Sequence, residues 1–298
     1  MNELAGWMRT FVAVADGASF SRAALRLEIT QSSVSRQISA LEKHLGAQLL
    51  QRTTRSIALT AEGTAFFEAA LRALAAIDEA EASVGLHGAL SGQVRLTAPL
   101  TLAQARLIAM IARFQQKHPR IEVDLRLSDH ALNLVSDNLD FAIRVGAIGD
   151  SRNIARRIGR ASRVMVAAPA YIAARGLPQR PEDLWDHNCL SYSLLATGTR
   201  WSLAGHAPVD IRGNFRADSP DALRAAALAG AGIAVNARWL FEPDLAEGRL
   251  FEVLPAFPPL DMPIHLTMPP GRYLAARVRA LADFLIEAFA ADPLLRIP

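Results

Sequence analysis

Over the first sixty residues, apolar positions recur at helical spacing and are punctuated by residues that end helices. Trp7, Met8, Phe11, Val12 and Val14 mark a first helix. Gly17 interrupts it, and Ser19 is placed to N-cap a second helix over 20–27. After Glu28-Ile29-Thr30, Thr30 can cap a third helix over 31–45, which Gly46 is placed to end. Two short extended pieces follow, around 49–52 and 56–59. From Ala61 to about Val84 the chain has no proline, and Gly63 is its only glycine. There Phe66, Ala70, Ala73, Ile77, Ala80 and Val84 are spaced as a coiled-coil seam, and Phe67, Leu71 and Leu74 widen the apolar face. Such a stripe needs cover, either from its own domain or from a second long helix, and the spacing favours a second helix. Gly85, Gly88, Ser91 and Gly92 then predict a hinge.

Beyond residue 90 the pattern changes to strands alternating with helices. Strand-like runs fall at 94–98, 121–127, 141–145, 164–168, 233–235 and 264–268, and helical runs at 102–117, 221–229 and 273–290. This alternation predicts an α/β fold with mainly parallel sheet, as one sheet or as two smaller lobes. A chain of 298 residues has room for a small N-terminal core and a larger second one.

Charge sharpens this division. The net charge is only +3, but residues 1–60 carry seven Arg and Lys against four Asp and Glu, and residues 61–89 carry one against five. A basic front followed by an acidic segment suits a nucleic-acid contact at the N-terminus. No apolar run approaches the roughly 18–20 residues of a membrane span, and the first ten residues have no signal-peptide core. A cytoplasmic protein without membrane association is expected. Cys189 is the only cysteine, so no internal disulfide forms, and a core thiol is the expected role.

The third helix carries most of the functional information. Val34, Ile38 and Leu41 would face a core, with Leu25, Leu27 and Ile29 beside them, and Ala23 and Ala24 permit close helix approach. The opposite face presents Gln31, Ser32, Ser33, Ser35, Arg36, Gln37 and Ser39. These residues are short or donor-rich, as a helix entering the major groove requires. An ordinary solvated face would carry more Glu/Lys pairs. Arg52, Thr53, Thr54 and Arg55 lie between the two extended pieces, where a wing would meet phosphates. The alternatives are a helical bundle that binds no DNA and a winged helix that binds protein.

Three stretches together resemble the N-terminal signature of LysR-type transcription regulators. They are Phe11-Val12-Ala13-Val14 with Gly17-Ala18-Ser19-Phe20-Ser21-Arg22-Ala23-Ala24, then Gln31-Ser32-Ser33-Val34-Ser35-Arg36-Gln37-Ile38, then Leu41-Glu42 through Leu49-Leu50-Gln51-Arg52-Thr53-Thr54-Arg55 to Gly63. Ser32 stands where the family often has Pro, and Leu50 where it often has Phe. The resemblance continues through Leu139-Asp140-Phe141-Ala142-Ile143-Arg144-Val145-Gly146, Ala167-Ala168-Pro169-Ala170-Tyr171 and 221–233, where Asn236 follows at a position often held by Pro. It implies a winged helix-turn-helix over 1–60, and a linker and dimerisation helix with hinge over 61–89. It also implies a two-lobed effector domain of the periplasmic-binding-protein-like type II fold over 90–298. By this analogy lobe one spans about 90–165 and 268–298, and lobe two about 166–267. The implied partners are duplex DNA, a small-molecule effector, a second or further copies in a homodimer or homotetramer, and RNA polymerase in the case of an activator.

Ligands of open α/β sheets sit beyond the carboxyl ends of strands. The candidate effector contacts are therefore Pro99, Leu100, Thr101, Ser128, Asp129, Arg144, Val145 and Gly146 from lobe one, and Tyr192, Ser193 and Ser219 from lobe two. Thr101 and Ser219 have helix capping as an alternative role, and Arg144 has pairing with an acid. Asn236 would either reshape its turn or add a polar group near the cleft. Catalytic signatures are missing: there is no HExxH, GxSxG or P-loop, and the seven histidines are scattered. No catalytic residue, metal or cofactor is expected. A solute-binding protein or an α/β enzyme with a helical front remains the other class. Within the regulator class, activator and repressor stay open, as does a C-terminal domain that only assembles oligomers.

Overall fold

A computed structural model describes residues 2–52, 57–83, 90–137, 139–148, 153–195, 198–269 and 274–297. The N-terminal unit comprises α1 (Asn2–Gly17), α2 (Phe20–Leu27), α3 (Gln31–Leu45), β1 (Leu50–Arg52), β2 (Ile57–Leu59) and the long α4 (Ala61–Ser83). Local chemistry sets its boundaries. The Ser19 hydroxyl accepts the Arg22 N–H at 3.3 Å, and the Thr30 hydroxyl accepts the Ser33 N–H at 3.2 Å. Gly46 ends α3 at φ +67°, the left-handed conformation that glycine adopts without strain. Phe11, Val14, Ala23, Val34, Ile38, Leu41, Leu49 and Leu50 form the buried core. β1 and β2 pair antiparallel, with Leu50 opposite Leu59 and Arg52 opposite Ile57.

The expected free seam on α4 needs correction in its first half. Phe66 and Phe67 pack on Phe11 of the same unit, with ring centroids 5.5 and 6.3 Å apart, and Ala70, Leu71 and Leu74 are buried. α1 supplies the cover that the spacing alone assigned to a partner helix. Ala73 and Ile77 stay half-buried. The side chain of Ala80, together with Val84, Gly85 and Gly88, lies outside the described residues. Gly92 begins a strand, opposite Ile121, and is not a free hinge residue.

From Gly92 the chain runs β3 (Gly92–Ala98), α5 (Leu100–Leu102), a π-helical segment (Ala103–Leu107), α6 (Ile108–Lys117), β4 (Ile121–Leu127), β5 (Phe141–Val145) and β6 (Ile154–Ala161). It continues with β7 (Arg163–Ala167), α7 (Pro169–Arg175), a 3-10 segment (Pro181–Asp186), β8 (Cys189–Tyr192), β9 (Arg200–Trp201), β10 (Val209–Asp210) and β11 (Arg216–Ala217). α8 (Pro220–Leu228), β12 (Ile233–Ala237), α9 (Arg238–Ala246), β13 (Phe251–Glu252), β14 (Met262–Met268) and α10 (Ala276–Ala291) complete it.

Two five-stranded sheets result, in the orders β4-β3-β5-β14-β6 and β11-β8-β12-β7-β13. Each has two parallel and two antiparallel pairings, so the expectation of mainly parallel sheet is corrected. Strands that return from the opposite lobe cause the mixture. β14 arrives after the whole second lobe and inserts beside β5. The lobe limits shift accordingly: β7, from Arg163, belongs to the second sheet, and β14, from Met262, belongs to the first. Period-two alternation splits β7 between two cores, with Val164 and Val166 in one and Met165 and Ala167 in the other. α10 seals the first lobe with Leu281, Leu285 and Phe289.

The chain crosses between lobes at Ser162 and again just before Met262, and the two crossings are tied together. Arg238 N–H donates to Ser162 O at 2.8 Å, Arg163 Nε donates to Leu260 O at 2.7 Å, and Arg160 pairs with Asp261 at 2.5 Å.

Candidate functional site

α3 is held with Val34, Ile38 and Leu41 inward, which leaves Gln31, Ser32, Arg36 and Ser39 exposed and Ser33 and Ser35 half-buried. At a 100° step per residue, positions 32, 35, 36 and 39 share the outer face. The first turn is pre-ordered by hydroxyls. Thr30 Oγ1 lies 2.9 Å from both Ser32 Oγ and Ser33 Oγ, and Arg36 Nη2 donates to Ser33 Oγ at 3.3 Å. Ser33 is thus tied up in capping. Ser21, on α2, donates to Gln31 Oε1 at 3.4 Å and extends the polar surface beyond the third helix.

Gln37 departs from expectation. Its Oε1 accepts the hydroxyl of Thr10 at 2.5 Å, and Thr10 is only 2 % exposed. The side chain therefore turns toward α1 and away from the outer face, because a buried hydroxyl requires a partner. Glu42 has a structural task that the pattern did not disclose: its Oε1 accepts the N–H groups of Leu49 (2.9 Å) and Leu50 (3.2 Å), fixing the base of β1. Gly63 is required where α4 starts, since a β-carbon there would lie 2.0 Å from Leu49 O. The Arg52 side chain and Thr53, Thr54 and Arg55 lie outside the described residues.

In the C-terminal domain a cavity of about 130 Å³ opens between the lobes. Pro99, Thr101, Asp129, Val145 and Tyr192 line it, as expected. Six expected contacts do not. Leu100 instead gives its N–H to the Asp129 carboxylate. Ser128 donates its hydroxyl to His130 O at 3.2 Å, and Ser193 gives its N–H to Ala217 O at 2.8 Å. Ser219 caps α8 through the Ala222 N–H at 3.4 Å. Arg144 donates to Ser128 O (3.3 Å) and His130 O (2.9 Å), so it braces the turn that carries Asp129. Gly146 (φ +104°) makes room for Met262, whose Cε would lie 2.8 Å from a β-carbon there.

The far wall was largely missed by sequence reasoning. Arg163, Leu194, Leu195 and Trp239 line it, and so does Asn236, whose Oδ1 also accepts the Ala237 N–H at 2.8 Å. Asn236 therefore adds a polar group at the cavity, and its side chain also accepts the N–H of the residue that caps α9. The signal for this wall was the end of β12 together with the lobe crossing, and only the three-dimensional pairing joins them. Burial pushes the Asp129 carboxyl above its ordinary value, while the Leu100 N–H pulls it the other way. Burial raises Tyr192, helped by Asp129 and Asp218, and lowers Arg163. Cys189 sits in the core with its thiol pushed up to about 12 by burial.

Comparison with known proteins decides the family. Residues 6–64 match the family model for the bacterial regulatory helix-turn-helix of the lysR family, and residues 87–290 match the LysR substrate binding domain. The chain belongs to the LysR family of transcription regulators. This LysR-type regulator is 35 % identical over 296 residues to an HTH-type transcriptional repressor from Pseudomonas aeruginosa, covering 97 % of the present chain and 93 % of the relative. It is similar in fold to the LysR-type regulator CrgA from Neisseria meningitidis, with a TM-score of 0.60, 32 % identity and coverage of 95 % and 97 %. It is also similar to full-length AphB, the Vibrio cholerae virulence activator, with a TM-score of 0.59, 27 % identity and coverage of 95 % and 98 %. As a LysR-type regulator it couples a DNA-binding helix-turn-helix to a C-terminal effector domain. Among the described residues, no helix is long and apolar enough to cross a membrane.

Proposed function

We propose that this regulator reads base edges with Gln31 at the start of α3 and with Ser32, Ser35 and Arg36 on its outer face, while Arg52, Thr53, Thr54 and Arg55 of the wing meet phosphates. Ser33 orders the first turn. The observation that carries the reading is the polar face left exposed by a helix whose other side is fully buried. We further propose that the reading head ends near residue 60 and the linker near 89, and that the remainder binds an effector between its lobes. The protein acts by binding in the cytoplasm and catalyses no reaction, and an activating role would involve RNA polymerase.

A dimer or tetramer on an imperfect inverted repeat follows if the outer half of α4, with Ala73 and Ile77, pairs with its copy. Effector binding then changes the lobe angle and with it the spacing of the reading heads. The test is selection of bound duplexes from a random pool, then fluorescence anisotropy and footprinting on the selected site. Arg36→Ala or Gln31→Ala should cost about 1–3 kcal/mol at the selected site. Arg52→Ala or Arg55→Ala should weaken binding to all sequences and flatten the salt dependence. Equal losses and equal salt slopes for all four would refute the division, and protection of a single unpaired half-site would refute the dimer.

A further inference from the structure

Two opposite charges line the interlobe cavity, and among the described residues neither forms an ion pair at contact distance, although Arg144 lies near Asp129 and Asp261 near Arg163. Asp129, on the first-lobe wall, accepts the Leu100 N–H but makes no ion pair. The neighbouring Arg144, whose charge also acts on Asp129, donates Nη1 to the Ser128 and His130 carbonyls on either side of it, and its Nη2 is buried without a partner. Arg163, on the second-lobe wall, places Nε on Leu260 O, and its two Nη groups find no hydrogen-bond acceptor. The acid beside it, Asp261, is paired with Arg160. Trp239 stands at the same corner, because Ala237 is the register partner of Arg163. Trp239 is 9 % exposed and lines the cavity, and its indole Nε1 is buried without a partner.

Asp129 and Arg163 are half-buried, and the Trp239 indole N–H is fully buried; partly desolvated charges and an orphaned donor cost free energy that an incoming partner restores. Asp129 and Arg163 do not bridge to each other, so the missing partner carries both signs. A ligand with only a carboxylate would leave Asp129 as a like-charge neighbour, and one with only an amine would leave Arg163 unpaired. The cavity, about 130 Å³, is well below the roughly 300–1,000 Å³ typical of drug-sized ligands, so the ligand is small.

We propose that the interlobe cavity is a zwitterion site, taking a small amino carboxylate whose ammonium meets Asp129 and whose carboxylate meets Arg163 and the Trp239 indole N–H. The inference rests on the effector reading and names the ligand class of that same cleft.

The experiment uses the full-length protein. The standard L-amino acids, β-alanine and 4-aminobutyrate are screened by thermal shift, since a ligand specific to the native state raises the melting temperature. Each hit is compared by calorimetry with its deaminated acid and its decarboxylated amine. At least one amino acid should bind, and both counterparts should bind about tenfold or more weakly, as loss of a charge-assisted pair implies. Asp129→Asn should weaken the amino acid by a similar factor and spare the deaminated acid. Arg163→Gln should weaken the amino acid and spare the amine. A ligand-free melting temperature close to the parent's, with the same two-state transition, shows that both variants fold. If no member of the panel binds, or if the hit ignores Asp129→Asn, the zwitterion site is overturned. Leu195→Trp, which fills the cavity from its rim, separates the two levels. A carboxylate or neutral aromatic lost in Leu195→Trp but indifferent to Asp129→Asn overturns the ligand class and leaves the cleft reading intact. Binding that Leu195→Trp leaves unchanged overturns the cleft reading itself.

Discussion

Asp244→Asn should melt the second lobe early, and the structure sets the scale. Asp244, on α9, is 0 % exposed and is clamped by two arginines. Arg224, from α8, donates Nε at 2.5 Å and Nη2 at 2.8 Å, and Arg249 donates Nε at 3.0 Å and Nη2 at 2.6 Å. The clamp fixes the two helices that deliver Pro220 and Trp239 to the cavity. Removing one member of a buried ion pair costs about 3–5 kcal/mol. Here the arginine side chains are 32 % and 46 % exposed and can rehydrate, which trims the loss to about 3 kcal/mol. For a domain of about two hundred residues this lowers Tm by about 6–12 °C.

The pH dependence supplies a second check on the same variant. Burial pushes the Asp244 carboxyl upward, but hydrogen bonds from Arg224 and Arg249 outweigh it, and the net direction is below the ordinary 3.8. A depressed folded-state value means stability that is fully present above the unfolded pKa and lost as pH falls through the folded one. Calorimetric scans of both proteins should thus show the full gap at pH 7 and a closing gap below about pH 4. A variant that melts with the parent at neutral pH, or a gap that persists unchanged into strong acid, would refute the clamp.

Three further outcomes follow from the N-terminal unit and the core. Gln37→Ala strands the buried Thr10 hydroxyl, so it should cost about 1–2 kcal/mol of stability with little change in base preference, whereas Arg36→Ala should do the reverse; melting curves and anisotropy on a selected site and its single-base variants separate them. Gly63→Ala should destabilise the wing base by about 2 kcal/mol or more despite alanine's helix propensity, because the new methyl would sit 2.0 Å from Leu49 O; a variant more stable than the parent would contradict the close approach. Cys189, with its thiol near 12, should be only about one part in ten thousand thiolate at pH 8, and a chromogenic disulfide reagent should label it only on unfolding; rapid labelling of the native protein would show that the site opens.

The limits of α2 and α3 were legible because Ser19, Thr30 and Gly46 act within one turn of their own helix. The second wall of the cavity was not, because Arg163 and Asn236 meet only after β7 pairs antiparallel with β12. β6 hid for another reason: Arg156, Arg157 and Arg160 disrupt the apolar alternation on a strand that lies at the sheet edge. α9 contains Pro243, which speaks against a helix interior, yet the fold accommodates it. Gln37 shows the limit of periodicity within a well-read helix: the period gives the angle of a side chain, but only the neighbouring helix decides whether that angle meets solvent or Thr10.

The paired crossings at Ser162 and Met262 behave as two pins set side by side in one door. A mounting of that kind favours hinge-like swinging over sliding. Arg163 is part of the pin, through Leu260, and also part of the jamb. If a guest grips it, as proposed, the push falls beside the strand crossings that join the two lobes, where a small displacement is carried furthest toward the outer rims.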